Sequence, residues 1–440
     1  MLSTCLRSVA MLLTTTSAGA CYVPNPDYEG VVTQTAESSE SDGADNGETP
    51  SGDSDPDGDG DPFGDGDGDG DGDGDGDGDG EGTSGASACG DGIVTPGEFC
   101  FFGLPVLGLP TIRSLTIADF DGDGHADLGV VRLDDVLVLF GNGDGMFPEL
   151  EDLPQPPGDY MGVAAGDIDL DGNDDLVVSN SNEDFVSVYL SNGDRSFSEG
   201  AQLNTGNGPK SVALARLDPD QQLDLVIVCE ADGVVEVRLG LGAAGFAEPV
   251  LYPTGDQPVA IAVGLVNADA HLDLLVANRT GQALALLMGA GDGSFANAMM
   301  TPVAGKPRAS VLADFNRDGL LDAATVVGDL DRAHVLFGDG QGWFAHSGQE
   351  LATDGRPLDA GVGDFDSDGF LDLVVANHED WTTQLLRGSE VAGELLPRQT
   401  LTLVADVTYP RTVVVADINE DGVDDLVVGG KGLSVMLSDP

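Results

Sequence analysis

Basic side chains are scarce in this sequence of 440 residues, which has 17 Lys and Arg against 78 Asp and Glu and a net charge of −61. Binding to nucleic acid depends on clustered Lys and Arg that neutralise phosphates. The sequence therefore argues against nucleic acid as a partner, and it favours divalent cations as the counter-ions of the acidic side chains.

Long apolar runs are also missing, so the sequence predicts no transmembrane helix. The short apolar run from Val9 to Leu13 follows the lone charge of Arg7 and precedes small residues, which is typical of an export signal. The stretch "SAGAC" at 17–21 fits a signal peptidase site after Ala20, and it also resembles a bacterial lipobox that would lipidate Cys21. Both interpretations stay open. We expect residues 1–20 to be a signal peptide and the protein to be secreted or on the cell surface. If Cys21 is lipidated, the protein is an outer-membrane lipoprotein, and the lipid anchor is its single membrane contact.

Cysteines are few, and each of the five has a separate expected fate. Cys5 leaves with the signal. Cys229 lies in the apolar run "DLVIVCE", which predicts a buried free thiol. Cys89 and Cys100 bracket residues 89–100, a segment that resembles part of a short Cys-rich motif of bacterial surface proteins, and export favours a disulfide between them.

Residues 21–88 contain no Lys or Arg and almost nothing apolar. Such a segment cannot bury enough surface to offset the entropy of ordering it, so we expect a disordered acidic tether. Its Asp-Gly run offers carboxylates, but nothing holds them around one ion. We therefore interpret this run as a solubilising spacer and not as a calcium site.

The remaining chain, residues 99–440, is repetitive. An acidic loop recurs seven times at spacings of 48 to 53 residues, with first positions at Asp119, Asp167, Arg216, Leu265, Asp314, Asp364 and Asp417. Each unit has four short β-rich runs separated by turn residues. A period of this length with four strands per unit predicts an all-β fold, a seven-bladed β-propeller of four-stranded blades.

Glycine-rich turns that end in an aromatic residue connect the third and fourth strands of the units, and they resemble the turns of a known repeat family. The turns "FGNGDGMF" at 140–147 and "FGDGQGWF" at 337–344 are similar to those of the FG-GAP/VCBS repeat, the blade of integrin α-subunit propellers and of many bacterial surface proteins. Propellers of the WD and kelch types match less well, because the chain has two Trp and no repeated WD signature.

The acidic loops are candidate calcium sites. Five loops have Asp or Asn at positions 1, 3, 5 and 9 and Gly at position 6. An EF-hand loop also needs Glu at position 12, and these five loops have no Glu there. Position 7 varies freely, as expected if it contributes its backbone carbonyl. The candidate ligands at positions 1, 3, 5, 7 and 9 are Asp119, Asp121, Asp123, His125 and Asp127; Asp167, Asp169, Asp171, Asn173 and Asp175; Asp314, Asn316, Asp318, Leu320 and Asp322; Asp364, Asp366, Asp368, Phe370 and Asp372; and Asp417, Asn419, Asp421, Val423 and Asp425.

Units three and four lack both the first ligand and the glycine, with Arg216 and Gln221 in one and Leu265 and Ala270 in the other. Because the two features are lost together, the pattern indicates metal-binding loops and not plain acidic turns. In addition, carboxylates packed in one hairpin repel each other when no cation is bound. We expect about five Ca²⁺ ions with a mainly structural role.

Ring closure is predicted from the two chain ends. The seventh unit stops after its third strand, and Phe99 precedes Asp119 by the same distance at which the turn aromatic precedes the loop in other units. The stretch "EFCFFGLPVL" at 98–107 therefore predicts the missing fourth strand.

The sequence offers no catalytic motif, so we do not expect an enzyme. We expect a monomeric module that binds or adheres to an extracellular protein or polysaccharide. A calcium-stabilised propeller enzyme, a polysaccharide lyase or hydrolase, is the alternative. The candidate ligand face lies opposite the calcium loops, where basic residues begin first strands and polar residues follow second strands. The predicted ligand-binding residues are Arg113, Lys210, Arg308, Arg411, Asn180, Asn278, Arg279, Asn377, His378 and Trp381. An alternative explanation is that these bases merely offset the acidic charge.

Overall fold

The computed structural model describes residues 34–35, 101–103, 108–156, 158–345, 348–389, 395, 399–401 and 407–438. The predicted signal peptide, most of the predicted tether and the proposed Cys89–Cys100 pair lie outside these residues. Within the described ranges, no helix is long and apolar enough to cross a membrane.

Seven antiparallel sheets form the blades, as the repeat predicts. Blades 1 to 3 consist of the strands Ile112–Ala118, Asp127–Arg132, Val136–Phe140 and Glu149–Asp152; Tyr160–Gly166, Asp175–Asn180, Phe185–Ser191 and Phe197–Asn204; and Pro209–Ala215, Asp224–Cys229, Val234–Arg238 and Val250–Pro253, with a small hairpin of Gly240–Gly242 and Gly245–Phe246 in blade 3.

The remaining blades follow the same order. Blades 4 to 6 consist of Pro258–Gly264, Asp273–Asn278, Ala283–Leu287 and Met299–Pro302; Pro307–Ala313, Asp322–Val327, Arg332–Gly338 and Glu350–Ala352, with Phe344–Ala345 paired to the third strand; and Pro357–Gly363, Asp372–Asn377, Thr382–Leu386 and Gln399–Leu401. Blade 7 consists of Thr408–Ala416, Asp425–Ser438 and Phe101–Gly103, and its long element Asp425–Ser438 covers the second and third strand positions.

The first strands of neighbouring blades contact each other around the whole ring, blade 7 to blade 1 included. They therefore line a central channel. The ring closes as predicted, because Phe101–Gly103 pairs antiparallel with Met436–Ser438. In addition, Gln34–Thr35 from the predicted tether pairs with Ala260–Ile261 and contacts the first strands of blades 1, 2, 3 and 5, which places it in the channel.

The core consists of seven apolar layers, each between two adjacent blades. Second strands such as Asp175–Asn180 are buried along their whole length because a blade covers each face. Fourth strands such as Glu149–Asp152 are exposed at the rim. This explains why the second strands are continuous apolar runs and the fourth strands are polar. Cys229 is a buried free thiol, as expected.

Candidate functional site

The acidic loops lie at one end of the propeller, between the first and second strands of their blades. Each second strand begins with an aspartate at loop position 9. All seven of these aspartates are fully buried: Asp127, Asp175, Asp224, Asp273, Asp322, Asp372 and Asp425.

The position-9 carboxylates hold the loops in place through the backbone. In blade 1, one oxygen of Asp127 accepts the N–H of Phe120 at 2.8 Å, and the other accepts the N–H of Gly141 at 2.7 Å, just after the third strand. The same two bonds recur in all seven blades. Position 9 is therefore a structural residue even in blades 3 and 4, a role that sequence reasoning missed although Asp224 and Asp273 are present in the incomplete loops.

The position-1 carboxylate closes each complete loop on itself. In blade 1, Asp119 accepts the N–H of Gly124 at 3.0 Å, and the other four complete loops share this bond. The five position-6 glycines have φ between 82° and 95°, a left-handed conformation that costs glycine nothing.

The incomplete loops of blades 3 and 4 lack this bond. When position 1 is Arg216 or Leu265, the carboxylate that accepts the position-6 N–H is gone. Ala270 of blade 4 nevertheless keeps a left-handed φ of 64°, a conformation that still favours glycine. The hydrogen bond therefore explains why position 1 closes a complete loop, but it does not explain why the glycine is lost together with the carboxylate.

Three loops bring three carboxylates together closely enough to hold one ion. In the loops of blades 1, 2 and 6, carboxylate oxygens from positions 1, 3 and 9 lie within 4.8 Å of one another. The loops of blades 5 and 7 have Asn316 and Asn419 at position 3 instead of a third carboxylate. Asp119 Oδ1 is buried with no hydrogen-bond partner among the described residues. An all-oxygen donor set suits a hard cation such as Ca²⁺ or Mg²⁺, so these residues fit a metal.

Burial shifts the titration of these carboxyls. Desolvation raises the pKa of Asp127, Asp175 and Asp322 to about 7, and that of Asp372 to about 8, against the lowering effect of the backbone hydrogen bonds. Neighbouring carboxylates of the same loop add to the rise. A bound cation would oppose both effects, because it favours the charged form.

Two arginines supply positive charge to the loops. Arg387, at the end of the third strand of blade 6, contacts Asp366 and Asp368 at 2.7 Å each. Arg195 of blade 2 reaches into the loop of blade 1, where its Nε lies 2.5 Å from Asp121 and its Nη2 lies 3.3 Å from Asp123. Sequence reasoning missed both residues.

Other loop residues join neighbouring blades. Asp174 accepts the N–H of Asp119 at 3.1 Å, and Asp424 accepts that of Asp364 at the same distance. The doubled "DD" of units two and seven was the sequence signal for these links. At position 7, the His125 ring points outward to Glu420 of blade 7 at 2.5 Å, and this hydrogen bond raises the pKa of His125.

The predicted basic residues of the opposite end lie on β-bulges at the start of first strands. The pairing register shifts at Arg113, Lys210, Arg308 and the segment that contains Arg411, and such bulges re-aim a side chain. Arg113 is 2.8 Å from Asp159, and Lys210 is 3.4 Å from Glu230. Both bases are buried, and desolvation lowers the pKa of each.

The other predicted ligand residues differ widely in exposure. Asn180, Asn278 and Asn377 are fully buried, and Arg279 and His378 are nearly so. Asn180 accepts the N–H of Glu183 at 3.3 Å and so braces its turn. Trp381, in contrast, is 48% exposed. The structure thus brings the predicted residues to one end of the propeller but presents them unequally to solvent.

Sequence comparison identifies the repeats. A family model described as FG-GAP-like repeat matches residues 119–178, 167–227, 266–325 and 364–428, together more than half of the chain. A search of curated proteins returns no significant match.

Solved structures share the propeller. BBS1N in complex with ARL6DN is 14% identical, with 78% of this chain and 97% of that chain covered and a TM-score of 0.54. A streptogramin B lyase is 12% identical, with 78% and 98% covered and a TM-score of 0.53. A virginiamycin B lyase from Staphylococcus aureus is 12% identical, with 77% and 99% covered and a TM-score of 0.51. At these identities the likeness concerns the fold alone.

Proposed function

This chain belongs to the FG-GAP-like repeat family, and on that premise we propose that it is an exported, surface-tethered calcium-binding β-propeller that acts as a binding or adhesion module for an extracellular ligand. The family's propeller fold supports a module of the binding type. Export and the tether rest on the sequence features of residues 1–88, and monomeric behaviour is a further expectation; all three are part of the proposal.

The observation that carries the calcium role is the convergence of three carboxylates in each of three pinned loops. Calcium accepts six to eight oxygen ligands in flexible geometry, and loops of this kind offer carboxylates, amides and backbone carbonyls. Magnesium demands near-ideal octahedral geometry, which suits these loops less well. Outside the cell, an affinity of about 10⁻⁴ to 10⁻³ M is enough for occupancy.

The division of the molecule into two ends supports the binding role. Cations at one end would rigidify the hairpins and the ring, while the other end presents inter-strand turns to solvent. The channel itself is partly filled by Gln34–Thr35, so the rim around it is the accessible part of the ligand face. The partner is an extracellular polysaccharide or protein.

Removing calcium should lower the melting temperature of the propeller. At tenfold saturation each occupied site adds about 1.4 kcal/mol to the free energy of unfolding. The measurement is thermal melting in excess EDTA and in millimolar Ca²⁺, with Mg²⁺ for comparison. Asp169→Ala should reduce the calcium effect, and Asp69→Ala in the tether is the matched control. Identical midpoints in EDTA and Ca²⁺ contradict the calcium role.

The binding role is tested by incubating the purified protein with immobilised glycans and proteins. Retention without cleavage is the expected outcome. Cleavage of a polysaccharide would instead favour the alternative, a propeller enzyme of the lyase or hydrolase type.

A further inference from the structure

An aromatic corner lies at the junction of blades 6 and 7, on the end opposite the acidic loops. The rings of Trp381 and Tyr409 have centroids 4.9 Å apart and are tilted by 56°, and the His378 ring lies 5.3 Å from that of Tyr409 at 49°. Lys431 places its Nζ 4.5 Å from the centroid of the Tyr409 ring. We call these four residues the aromatic corner. It combines side chains of two blades into one tilted surface.

Trp381 stands in this corner despite an unsuitable backbone. It is the residue before the third strand, and its φ is 57°. The equivalent residues of blades 2 to 5 have the same left-handed conformation, but they are Asp184, Gly233, Gln282 and Asp331. Positive φ is a genuine outlier for a bulky side chain, and such strain clusters at ligand sites. Since 48% of Trp381 is exposed, core packing does not explain its presence.

The polar groups around the corner indicate what it binds. Glu379 and Asp380 directly precede Trp381 and are exposed, although Glu379 also faces Arg356 at 3.8 Å and Asp380 accepts the N–H of Gly355. Carboxylates accept hydrogen bonds from hydroxyl groups, and the Lys431 ammonium donates them. An aromatic face is electron-rich and attracts polarised C–H groups. These are the contacts that a sugar ring makes.

The net negative charge of the molecule favours a neutral sugar over an acidic sugar as the ligand. Residues 89–440 carry 57 acidic against 16 basic side chains. At the ligand face, Arg113 and Lys210 are already neutralised by Asp159 and Glu230. A polyanion would therefore meet repulsion from the acidic molecule as a whole and from Asp380 beside the ring, whereas Glu379 is paired with Arg356.

We propose that the aromatic corner is a binding subsite for one neutral pyranose unit of a polysaccharide, which stacks on Trp381 while Lys431, Glu379 and Asp380 bind its hydroxyl groups. The proposal rests on the binding function proposed above and narrows its ligand to a neutral sugar. It places recognition on a blade junction at the rim and not inside the channel.

The chain's two tryptophans allow a direct test. Trp343 is 56% exposed and lies after the third strand of blade 5, at the end with the acidic loops. In Trp343→Phe, tryptophan fluorescence reports on Trp381 alone; in Trp381→Phe, it reports on Trp343 alone. Both variants and the wild type are titrated in constant Ca²⁺ with neutral oligosaccharides of glucose, mannose, galactose and N-acetylhexosamine. Hexuronate oligomers and an acidic peptide serve as comparison ligands.

The expected result is a saturable fluorescence change in Trp343→Phe with at least one neutral oligosaccharide, and none in Trp381→Phe. Trp381→Ala should weaken retention on that glycan by about tenfold or more, and Lys431→Gln by less. If the wild type binds a glycan while Trp381 fluorescence stays constant, the subsite is wrong but the binding function stands. A preference for uronates or the peptide overturns the neutral-sugar assignment. If the wild type binds none of these ligands, the subsite is wrong; if it is also not retained on the immobilised glycans and proteins, the binding function fails as well.

Discussion

A single aspartate per blade shows how one residue can serve both fold and site. At position 9, each carboxylate is buried and accepts two backbone N–H groups, whether or not the loop is complete. Carboxylate oxygens have further lone pairs, so the same group can still face a cation in blades 1, 2 and 6. The sequence alone does not separate the two roles, since both need the same side chain.

Blade 3 offers a test of the structural role without the metal. Asp224→Ala leaves the N–H groups of Leu217 and Gly240 without their acceptor, and each buried unsatisfied group costs about 1–3 kcal/mol. For the two groups together we expect a loss of about 2–6 kcal/mol in the free energy of unfolding, equal in EDTA and in Ca²⁺. Chemical denaturation under both conditions measures it.

Asp220→Ala is the control, because its exposed carboxylate bonds a turn N–H of Gln222 alone. A loss for Asp224→Ala that disappears in Ca²⁺ would show that blade 3 binds the ion, against the structural interpretation.

At the scale of elements, strand order, loop positions and the closing strand were predictable, because each follows from a pattern that repeats seven times. Contacts between repeats were not. Arg387 occupies a position where the other blades have apolar residues, namely Phe140, Leu190, Leu239, Met288, Phe337 and Leu437. That exception was visible in the aligned units, but its partners Asp366 and Asp368 appear only once the strands are placed in space.

Arg387 supplies positive charge to the blade 6 loop, as Arg195 does to the blade 1 loop. Its guanidinium compensates the blade 6 carboxylates without calcium, so Arg387→Gln should leave them repelling one another. We expect a lower melting temperature in EDTA and recovery in saturating Ca²⁺, hence a larger calcium-induced shift than in the wild type. Thermal melting with and without Ca²⁺ measures the difference.

The matched control is Arg332→Gln, which removes an exposed pair with Glu350. Surface pairs of this kind contribute little, so its calcium-induced shift should equal that of the wild type. If Arg387→Gln behaves in the same way, the arginine does not stand in for the cation.

The whole molecule depends on closing the ring. The pairing of Phe101–Gly103 with Met436–Ser438 completes blade 7 with a strand from the other end of the described chain. Deleting residues 89–107 exposes that edge and should cause a severe loss of stability or aggregation. Deleting 40–80, which spares Gln34–Thr35, should change the melting temperature little. Equal melting temperatures for the two truncations would refute closure by this strand.

The pH dependence of stability also belongs to the whole molecule, because all blades contribute to it. Burial raises the pKa of Asp224 and Asp425 to about 6, of Asp127, Asp175 and Asp322 to about 7, and of Asp372 to about 8 in the folded protein, from an ordinary value of 3.8. Between about pH 4 and pH 8 the folded state therefore holds protons that the unfolded chain has released, and stability falls as pH rises. A bound cation keeps the loop carboxylates ionised in the folded state and removes that difference.

We expect the melting temperature in EDTA to decline from pH 5 to pH 8. The decline should be smaller in Ca²⁺ than in Na⁺ at matched ionic strength, because Na⁺ screens general repulsion but does not fill the loops. A flat or rising profile in EDTA, or equal profiles in Ca²⁺ and Na⁺, would show that the buried carboxylates do not link folding to protons and calcium.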